Sequence, residues 1–376
     1  MEKVRVLIVD DSLLVQQILT QMLDADPLID VVGVAGDPYE ARELIKKLHP
    51  DVLTLDVEMP KMNGISFLKN LMRLHPMPVV MISTLTERGA DITLQALELG
   101  AVDFVTKPKV DLSNSLDKYE FEICRKVKQA ARISRESLSE QYNRQALNQQ
   151  RKPDVEPYPV SKVTPKLTAD AVIKKTAVPS KFTKTQQKVI AIGASTGGTE
   201  AIKEILMRLP ENTPPIVISQ HIPAAFSEPF AKRMDTITPM KVIHAQARQK
   251  LETGHVYIAP GNRHLIVERE GSQYVAVLND GPEVNRHKPS VDVMFRSVAQ
   301  ACGPNAVGIL LTGMGADGAQ GLLEMQQSGA HTIAQDKASS VVWGMPGEAV
   351  SLGAADQVLT LERIPRTLLE VLTLLS

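Results

Sequence analysis

The sequence predicts an α/β protein of two domains, each built on a mainly parallel sheet, with a polar linker between them. Three observations carry this. Short apolar runs alternate with amphipathic stretches from residue 4 to about 130, and again from Val189 onward, which is the signature of βα units. From roughly Ser137 to Lys188 that pattern stops, and Gln, Lys, Pro and Ser replace the large apolar residues. A chain of 376 residues is also longer than one ordinary core supports.

In the first domain, residues 1–136, the apolar runs are Val4–Val9, Val31–Ala35, Val52–Leu55, Val79–Ser83 and Val102–Val105. Between them Leu13–Leu23, Tyr39–Leu48, Ile65–Leu74 and Ala90–Leu99 space their apolar residues as helices do, and a further helical segment covers Tyr119–Arg132. Five βα units imply a five-stranded parallel sheet covered on both faces. The linker, 137–187, contains Pro153, Pro157, Pro159, Pro165 and Pro179, which interrupt any helix. Between Arg151 and Lys188 it has nine Lys/Arg against three Asp/Glu. It is expected to be extended, flexible and solvated.

In the second domain, 188–376, strands are predicted at Val189–Ala194, Ile216–Gln220, Val242–Ala245, Val256–Ala259, Leu265–Val267, Tyr274–Leu278, Val307–Thr312, Thr332–Ala334 and Gln357–Leu359. Helices are predicted at Thr199–Arg208, Val291–Ala301, Gly318–Ser328 and Ile364–Leu375. Parallel units dominate both ends, giving a doubly wound sheet. The short runs between Lys241 and Leu278 read as an antiparallel insertion.

Bulk properties narrow the function. A net charge of −1 favours neither nucleic acid nor an anionic membrane surface. The start, Met1-Glu2-Lys3-Val4-Arg5, lacks a signal-peptide layout, and no apolar run is long enough to span a bilayer. Cys124 and Cys302 form no CxxC pair and read as buried, reduced thiols of a cytoplasmic protein.

Two constellations carry chemistry. Asp10, Asp11 and Asp56 end apolar strands of the first domain. In an open parallel sheet such ends face a common crevice. Three carboxylates packed together repel unless a cation joins them, and a hard divalent ion such as Mg²⁺ suits oxygen ligands. Ser83 and Lys107 end neighbouring strands. A hydroxyl and an ammonium facing such a centre are what phosphoryl transfer needs. Singly, each acid reads as a helix cap or a loop residue; five suitable residues at four strand ends do not.

Leu7-Ile8-Val9-Asp10-Asp11-Ser12, Leu55-Asp56-Val57-Glu58-Met59-Pro60-Lys61-Met62-Asn63-Gly64 and Thr106-Lys107-Pro108 resemble a response-regulator receiver domain over residues 1 to about 125. The resemblance implies a flavodoxin-like sheet and Asp56 as the phosphorylated aspartate. Asp10 and Asp11 would join it around Mg²⁺, Ser83 would be the switch hydroxyl, Lys107 would contact the phosphate, and a histidine kinase would be the donor.

The second constellation is Gly193-Ala194-Ser195-Thr196-Gly197, a GxSxG elbow after a strand and before a helix. Gly193 and Gly198 have P-loop spacing, but Thr199 and Glu200 stand where a phosphate needs Lys and a hydroxyl. A serine nucleophile needs a base and the base an orienting acid. His221 ends the next strand, Ile216–Gln220, and a right-handed crossover brings it to the same sheet edge as Ser195. His255, His264 and His287 are weaker candidates; His49, His75, His244 and His331 read as surface or structural. Asp317, in Leu311-Thr312-Gly313-Met314-Gly315-Ala316-Asp317-Gly318, is the candidate acid and also a candidate N-cap. The order Ser…His…Asp is not that of α/β-hydrolases.

Gly193–Gly198, Ser219-Gln220-His221-Ile222-Pro223, Tyr257-Ile258-Ala259-Pro260-Gly261, Lys288-Pro289-Ser290-Val291-Asp292, Gly313–Gly318 and Trp343-Gly344-Met345-Pro346-Gly347 resemble the catalytic domain of the chemotaxis protein-glutamate methylesterases, the CheB family. The resemblance implies Ser195 as nucleophile, His221 as general base and Asp317 as its partner, with backbone N–H groups of Thr196 and Met314 as oxyanion donors. It further implies hydrolysis of glutamate γ-methyl esters on chemoreceptors, deamidation of receptor glutamines, and no cofactor for the hydrolysis. The enzyme would be cytoplasmic and recruited to membrane receptor clusters, with no membrane insertion and no nucleic-acid partner. The rival readings are a receiver fused to a non-catalytic partner-binding domain and a small-molecule esterase.

Overall fold

The structure, a computed structural model, describes residues 3–59, 62–83, 87–107, 113–133, 167–176 and 187–374. Pro60, Lys61, Pro108 and most of the expected linker lie outside them. The chain divides into two compact units, Met1–Lys152 and Pro153–Ser376.

The first unit alternates β1 (Val4–Val9), α1 (Leu13–Asp24), β2 (Ile29–Ala35), α2 (Pro38–Leu48), β3 (Val52–Asp56), α3 (Gly64–Leu74), β4 (Val79–Ser83), α4 (Glu87–Glu98), β5 (Asp103–Thr106) and α5 (Ser113–Ala130). All pairings are parallel, in the order β2-β1-β3-β4-β5. β3 and β4 are buried along their whole length, because helices cover both faces of the sheet. Helix starts are set by side chains that accept orphan N–H groups: Ser12 for Val15 (3.4 Å), Asp37 for Tyr39 and Glu40 (2.9 and 3.0 Å), and Asn63 for Ser66 (2.8 Å).

The second unit has a seven-stranded sheet ordered β15-β14-β13-β6-β7-β10-β8, every pairing parallel. Its strands are β6 (Val189–Ala194), β7 (Ile216–Gln220), β8 (Lys241–His244), β10 (His255–Ile258), β13 (Ala306–Leu310), β14 (His331–Gln335) and β15 (Gln357–Leu359). β9 (Gln249–Lys250), β11 (His264–Glu270) and β12 (Gln273–Asn279) form a separate antiparallel sheet. The helices are α6 (Gly198–Leu206), α7 (Ala224–Ile237), α8 (Val291–Cys302), α9 (Ala319–Gln327), α10 (Met345–Ser351) and α11 (Ile364–Leu374). From β6 the chain builds one way through β7, then returns to lay β13 on the other flank. The order therefore reverses between β6 and β13, and a crevice opens at their carboxyl ends.

Two expectations change. The antiparallel insertion is smaller than expected: β8 and β10 belong to the parallel sheet, reached through α7, which the sequence reading did not anticipate. Pro229 inside that helix breaks its sequence signal. The linker also differs from an extended, solvated chain over 167–176. There a 3₁₀ turn, Ala169–Ala171, places Ala169, Val172 and Ile173 against Ile266, Val284 and Val293. These apolar residues share one face of the turn, hidden in sequence by their Pro- and Lys-rich flanks. Among the described residues no helix is long and apolar enough to cross a membrane.

Candidate functional site

β6 pairs with β7 so that Ala194 lies opposite Gln220. Ser195 and His221 are the next residue on each strand, and His221 N donates to Ala194 O at 3.0 Å. On the other side β6 pairs with β13, Gly193 opposite Leu310, and Ser195 N donates to Thr312 O at 3.0 Å. Three adjacent strands thus deliver Ser195, His221 and the 312–318 loop to the crevice between β6 and β13. The turn after β6 is tight: Gly197 has φ +76°, and a Cβ at Gly198 would collide with Gln220 and Ala194.

Asp317 is buried and is the hub. Its Oδ2 accepts from His221 Nε2 at 2.8 Å and from Val291 N at 2.7 Å. Its Oδ1 accepts from Asn285 Nδ2 and Ser290 Oγ, each at 2.8 Å, and from Asp292 N at 3.3 Å. The capping it performs is therefore at α8, through Val291 and Asp292, and not at the helix that follows it in sequence. Burial alone would raise its pKa, but the hydrogen bond and charge of His221, the charge of His287 and the Asn285 amide hold it well below the usual carboxylate range. Neighbouring Asp292 is shifted the other way, by burial and by the charge of Asp317.

With Nε2 bound to Asp317, His221 presents Nδ1, which is buried and has no hydrogen-bond partner. The His287 ring stacks on that of His221, centroids 3.7 Å apart and 9° from parallel. His264 is spent elsewhere: Nε2 donates to Pro282 O at 2.9 Å and Nδ1 accepts from Ser290 N at 3.1 Å. His255 begins β10 and so lies at the opposite end of the sheet from the crevice. Of the three weaker histidines only His287 reaches the site, as a stacking partner of His221.

Thr196 follows Ser195, and its carbonyl accepts from Thr312 Oγ1 at 3.0 Å. Met314 sits in the loop fastened by Gly313 O, which accepts from Met345 N at 2.7 Å and Gly344 N at 3.1 Å. Sequence reasoning did not assign chemistry to Gln220 or Asn285. Gln220 Nε2 donates to the carbonyls of Ser195 (2.9 Å) and His221 (3.3 Å), tying the two ends together. Gln220 and Ser290 lie inside quoted motifs, which was a usable signal; Asn285 has none.

In the first unit Asp10, Asp11 and Asp56 each bring a carboxylate oxygen within 4.8 Å of the others. Lys107 Nζ lies 2.8 Å from Asp56 Oδ2 and 3.1 Å from Asp10 Oδ2. Asp56 is pushed up to about 6 by burial, against the Lys107 hydrogen bond. Burial works against the charge of Lys107, but Asp56 and Asp10 raise its pKa overall. Asp56 Oδ1 is buried without a hydrogen-bond partner, so an oxygen-seeking cation fits the cluster. Ser83 ends the adjoining strand, with its hydroxyl turned to α4, where it accepts from Thr93 Oγ1 at 2.7 Å and donates to Gly89 O at 3.3 Å.

A family model described as CheB methylesterase matches residues 190–368, and one described as response regulator receiver domain matches residues 6–117. The protein-glutamate methylesterase/protein-glutamine glutaminase of Hydrogenovibrio crunogenus is 64% identical over 375 residues, covering 99% of this chain and all of that protein. Protein-glutamate methylesterase/protein-glutamine glutaminase 1 of Xanthomonas campestris is 53% identical over 368 residues, 97% of this chain and 96% of the relative. The crystal structure of the Thermotoga maritima CheB methylesterase catalytic domain is 34% identical, covers 50% of this chain and 99% of its own, and superposes with a TM-score of 0.48.

Proposed function

Because this chain belongs to the family of CheB methylesterases that carry a response-regulator receiver, we infer that it is a phosphorylation-regulated serine hydrolase. It removes glutamate γ-methyl esters from methyl-accepting chemotaxis receptors and deamidates receptor glutamines. The observation that carries the chemistry is the buried Asp317–His221 pair, 2.8 Å between Oδ2 and Nε2, with His221 at the end of the strand next to that of Ser195.

The geometry supports named roles. Ser195 Oγ attacks the ester or amide carbonyl while His221 accepts its proton. Since Nε2–H is held by Asp317, Nδ1 is the accepting atom. Asp317 keeps that tautomer and stabilises the imidazolium. Backbone N–H groups of Thr196 and Met314 hold the oxyanion. His221 returns the proton to the departing methanol or ammonia, and a water molecule then repeats the cycle on the acyl-enzyme. The carboxylates and histidines present suffice for this, so no cofactor is assigned to the hydrolysis. A non-catalytic binding domain would have no need of a buried, proton-ordered Asp–His pair beside an elbow serine.

In the receiver, Asp56 is the phosphoacceptor, with a histidine kinase as donor. Asp10, Asp11 and Asp56 would hold Mg²⁺, which when bound offsets charge on the phosphoryl oxygens. Lys107 contacts the phosphoryl group, and Ser83 leaves α4 to bind it. The enzyme works in the cytoplasm, recruited to receptor clusters.

The test of this reading is methanol release from radiomethylated receptor membranes, with and without a phosphodonor. The phosphodonor is expected to raise release by about ten- to a hundredfold, the range of a domain equilibrium shifted by a few kcal/mol. Asp56→Asn is expected to abolish that rise and leave the basal rate in place; a variant still activated would remove Asp56 from the role. Gly313→Ala is expected to lower turnover about a hundredfold. Its Cβ would lie 2.7 Å from Ser195 Cβ, 3.0 Å from Ser195 N and in collision with Met345 Sδ, and small displacements of a nucleophile cost that much. Unchanged turnover would mean that Ser195 is not held by this contact.

A further inference from the structure

Ten residues from within the expected linker, 167–176, lie on the second unit beside the loop that reaches Asp317. Arg296, 4% exposed, turns its guanidinium toward them. Its Nε and Nη2 bond Glu324 at 2.8 and 2.7 Å. Its Nη1 donates to Asp170 Oδ1 at 2.9 Å and to the Ile173 carbonyl at 3.0 Å. Gln300 Nε2 donates to Lys174 O at 3.1 Å, and Asn285 N donates to Leu167 O at 2.9 Å. Donors on a guanidinium buried this far need acceptors, and here a stretch of linker composition supplies those for Nη1. Its apolar face on Val284 and Val293 fixes the same segment from the other side.

Val284 begins the turn that touches the reaction centre. Val284 and His287 close it through paired backbone bonds of 3.1 and 2.8 Å. Between them Asn285 and Arg286 have φ of 52° and 69°, a left-handed conformation that asparagine tolerates better than most residues. From this turn Asn285 Nδ2 bridges Asp317 Oδ1 (2.8 Å) and Asp292 Oδ2 (2.7 Å), and the His287 ring stacks on His221. One short turn thus has the 167–176 segment on one side and the Asp317–His221 pair on the other.

We propose that residues 167–176 form a strap belonging to the catalytic unit, and that the strap holds the 284–287 turn so that Asn285 acts as a positioning residue for Asp317 and His221. The proposal rests on the hydrolase reading above. Asn285 sits between two buried carboxylates as a donor to both. Without its amide, Asp317 and Asp292 face each other with like charge, and the carboxylate that orients His221 loses one of its anchors. Without the strap, the left-handed turn loses the Leu167 acceptor and the apolar support under Val284.

The experiment uses the full-length protein with a phosphodonor present. It measures kcat and KM for methanol release from methylated receptor, and the rate of Ser195 labelling by a serine-directed phosphonate. The strap variants are Asp170→Lys and the double variant V172D/I173D; the turn variant is Asn285→Gly, which keeps the left-handed backbone accessible. Asp170 is 60% exposed in its side chain, so Asp170→Lys leaves the core intact even if V172D/I173D does not fold. Each variant is expected to lower kcat and the labelling rate together by roughly tenfold or more, with KM within about twofold, because the strap and Asn285 are proposed to act through Asp317 and His221 and not through receptor contacts. Asp170→Lys combined with Asn285→Gly is expected to be little worse than Asn285→Gly alone, since both act through one turn. Hydrogen exchange over 284–292 is expected to quicken in the strap variants. Wild-type kcat in Asp170→Lys, or losses that add in the combined variant, would overturn the strap while leaving the hydrolase reading standing. A wild-type protein that releases no methanol would overturn that reading and the strap with it.

Discussion

Ser195→Ala is expected to lower methanol release by about 10⁴- to 10⁶-fold, the scale set by removing the nucleophile of a serine triad. The structure explains why the fold should survive. Ser195 N bonds Thr312 O, and Ser195 O accepts from Gly198 N at 2.7 Å and from Gln220 Nε2 at 2.9 Å. None of these bonds uses the hydroxyl, so alanine keeps the elbow. His221→Ala is expected to match the loss, and the double variant to add little, because the two side chains act as one unit. Receptor binding should be unaffected. More than a few per cent of wild-type turnover in Ser195→Ala, with the protein folded, would rule out the serine mechanism.

Asp317→Asn is expected to differ from Ser195→Ala by damaging rate and stability together. An amide at 317 can turn an N–H toward His221 Nε2, favouring the wrong tautomer. The comparable change in a serine protease lowers kcat by about 10⁴. The carboxylate also serves Asn285, Ser290 Oγ and the first N–H groups of α8. Breaking a buried charged hub of this kind costs about 3–5 kcal/mol, and the N-terminus of α8 loses its counter-charge. Urea unfolding beside the methanol assay separates the two effects. A variant with native stability, or with turnover within tenfold of wild type, would contradict the role described for Asp317.

Most of both sites was legible in the sequence because Asp10, Asp56, Ser83, Lys107, Ser195 and His221 sit where strands end, whereas Asp317 lies further along the loop after β13. The period of the apolar runs located β1, β3 and β6, and so fixed Asp10, Asp56 and Ser195 on one edge of their sheets. The right-handed crossover rule placed His221 beside Ser195, and the β6–β7 register confirms it. What stayed hidden lacked periodicity. Asn285 lies in an irregular turn with positive φ, and nothing in its neighbours' polarity points to Asp317. Helix α7 was lost to Pro229. The 3₁₀ turn at Ala169–Ala171 is three residues long, too short for a moment to rise above its charged flanks. Asp317 was recognised as both acid and cap, but which helix it caps depends on tertiary contacts that no local pattern carries.

The pairing of Ala194 with Gln220 makes the hydrogen-bond ladder between β6 and β7 a ruler for the chemistry. One added or deleted residue within either strand would turn every following side chain to the opposite face, carrying Ser195 or His221 out of the crevice while leaving the composition of the core intact. The loop that leads from the end of α6 to β7 has no such constraint, because it lies outside both the elbow and the ladder. Length variation in this enzyme is therefore segregated by position: the loop between α6 and β7 can grow or shrink, whereas the 195–198 elbow and the few residues before the nucleophile and before the base are fixed in number.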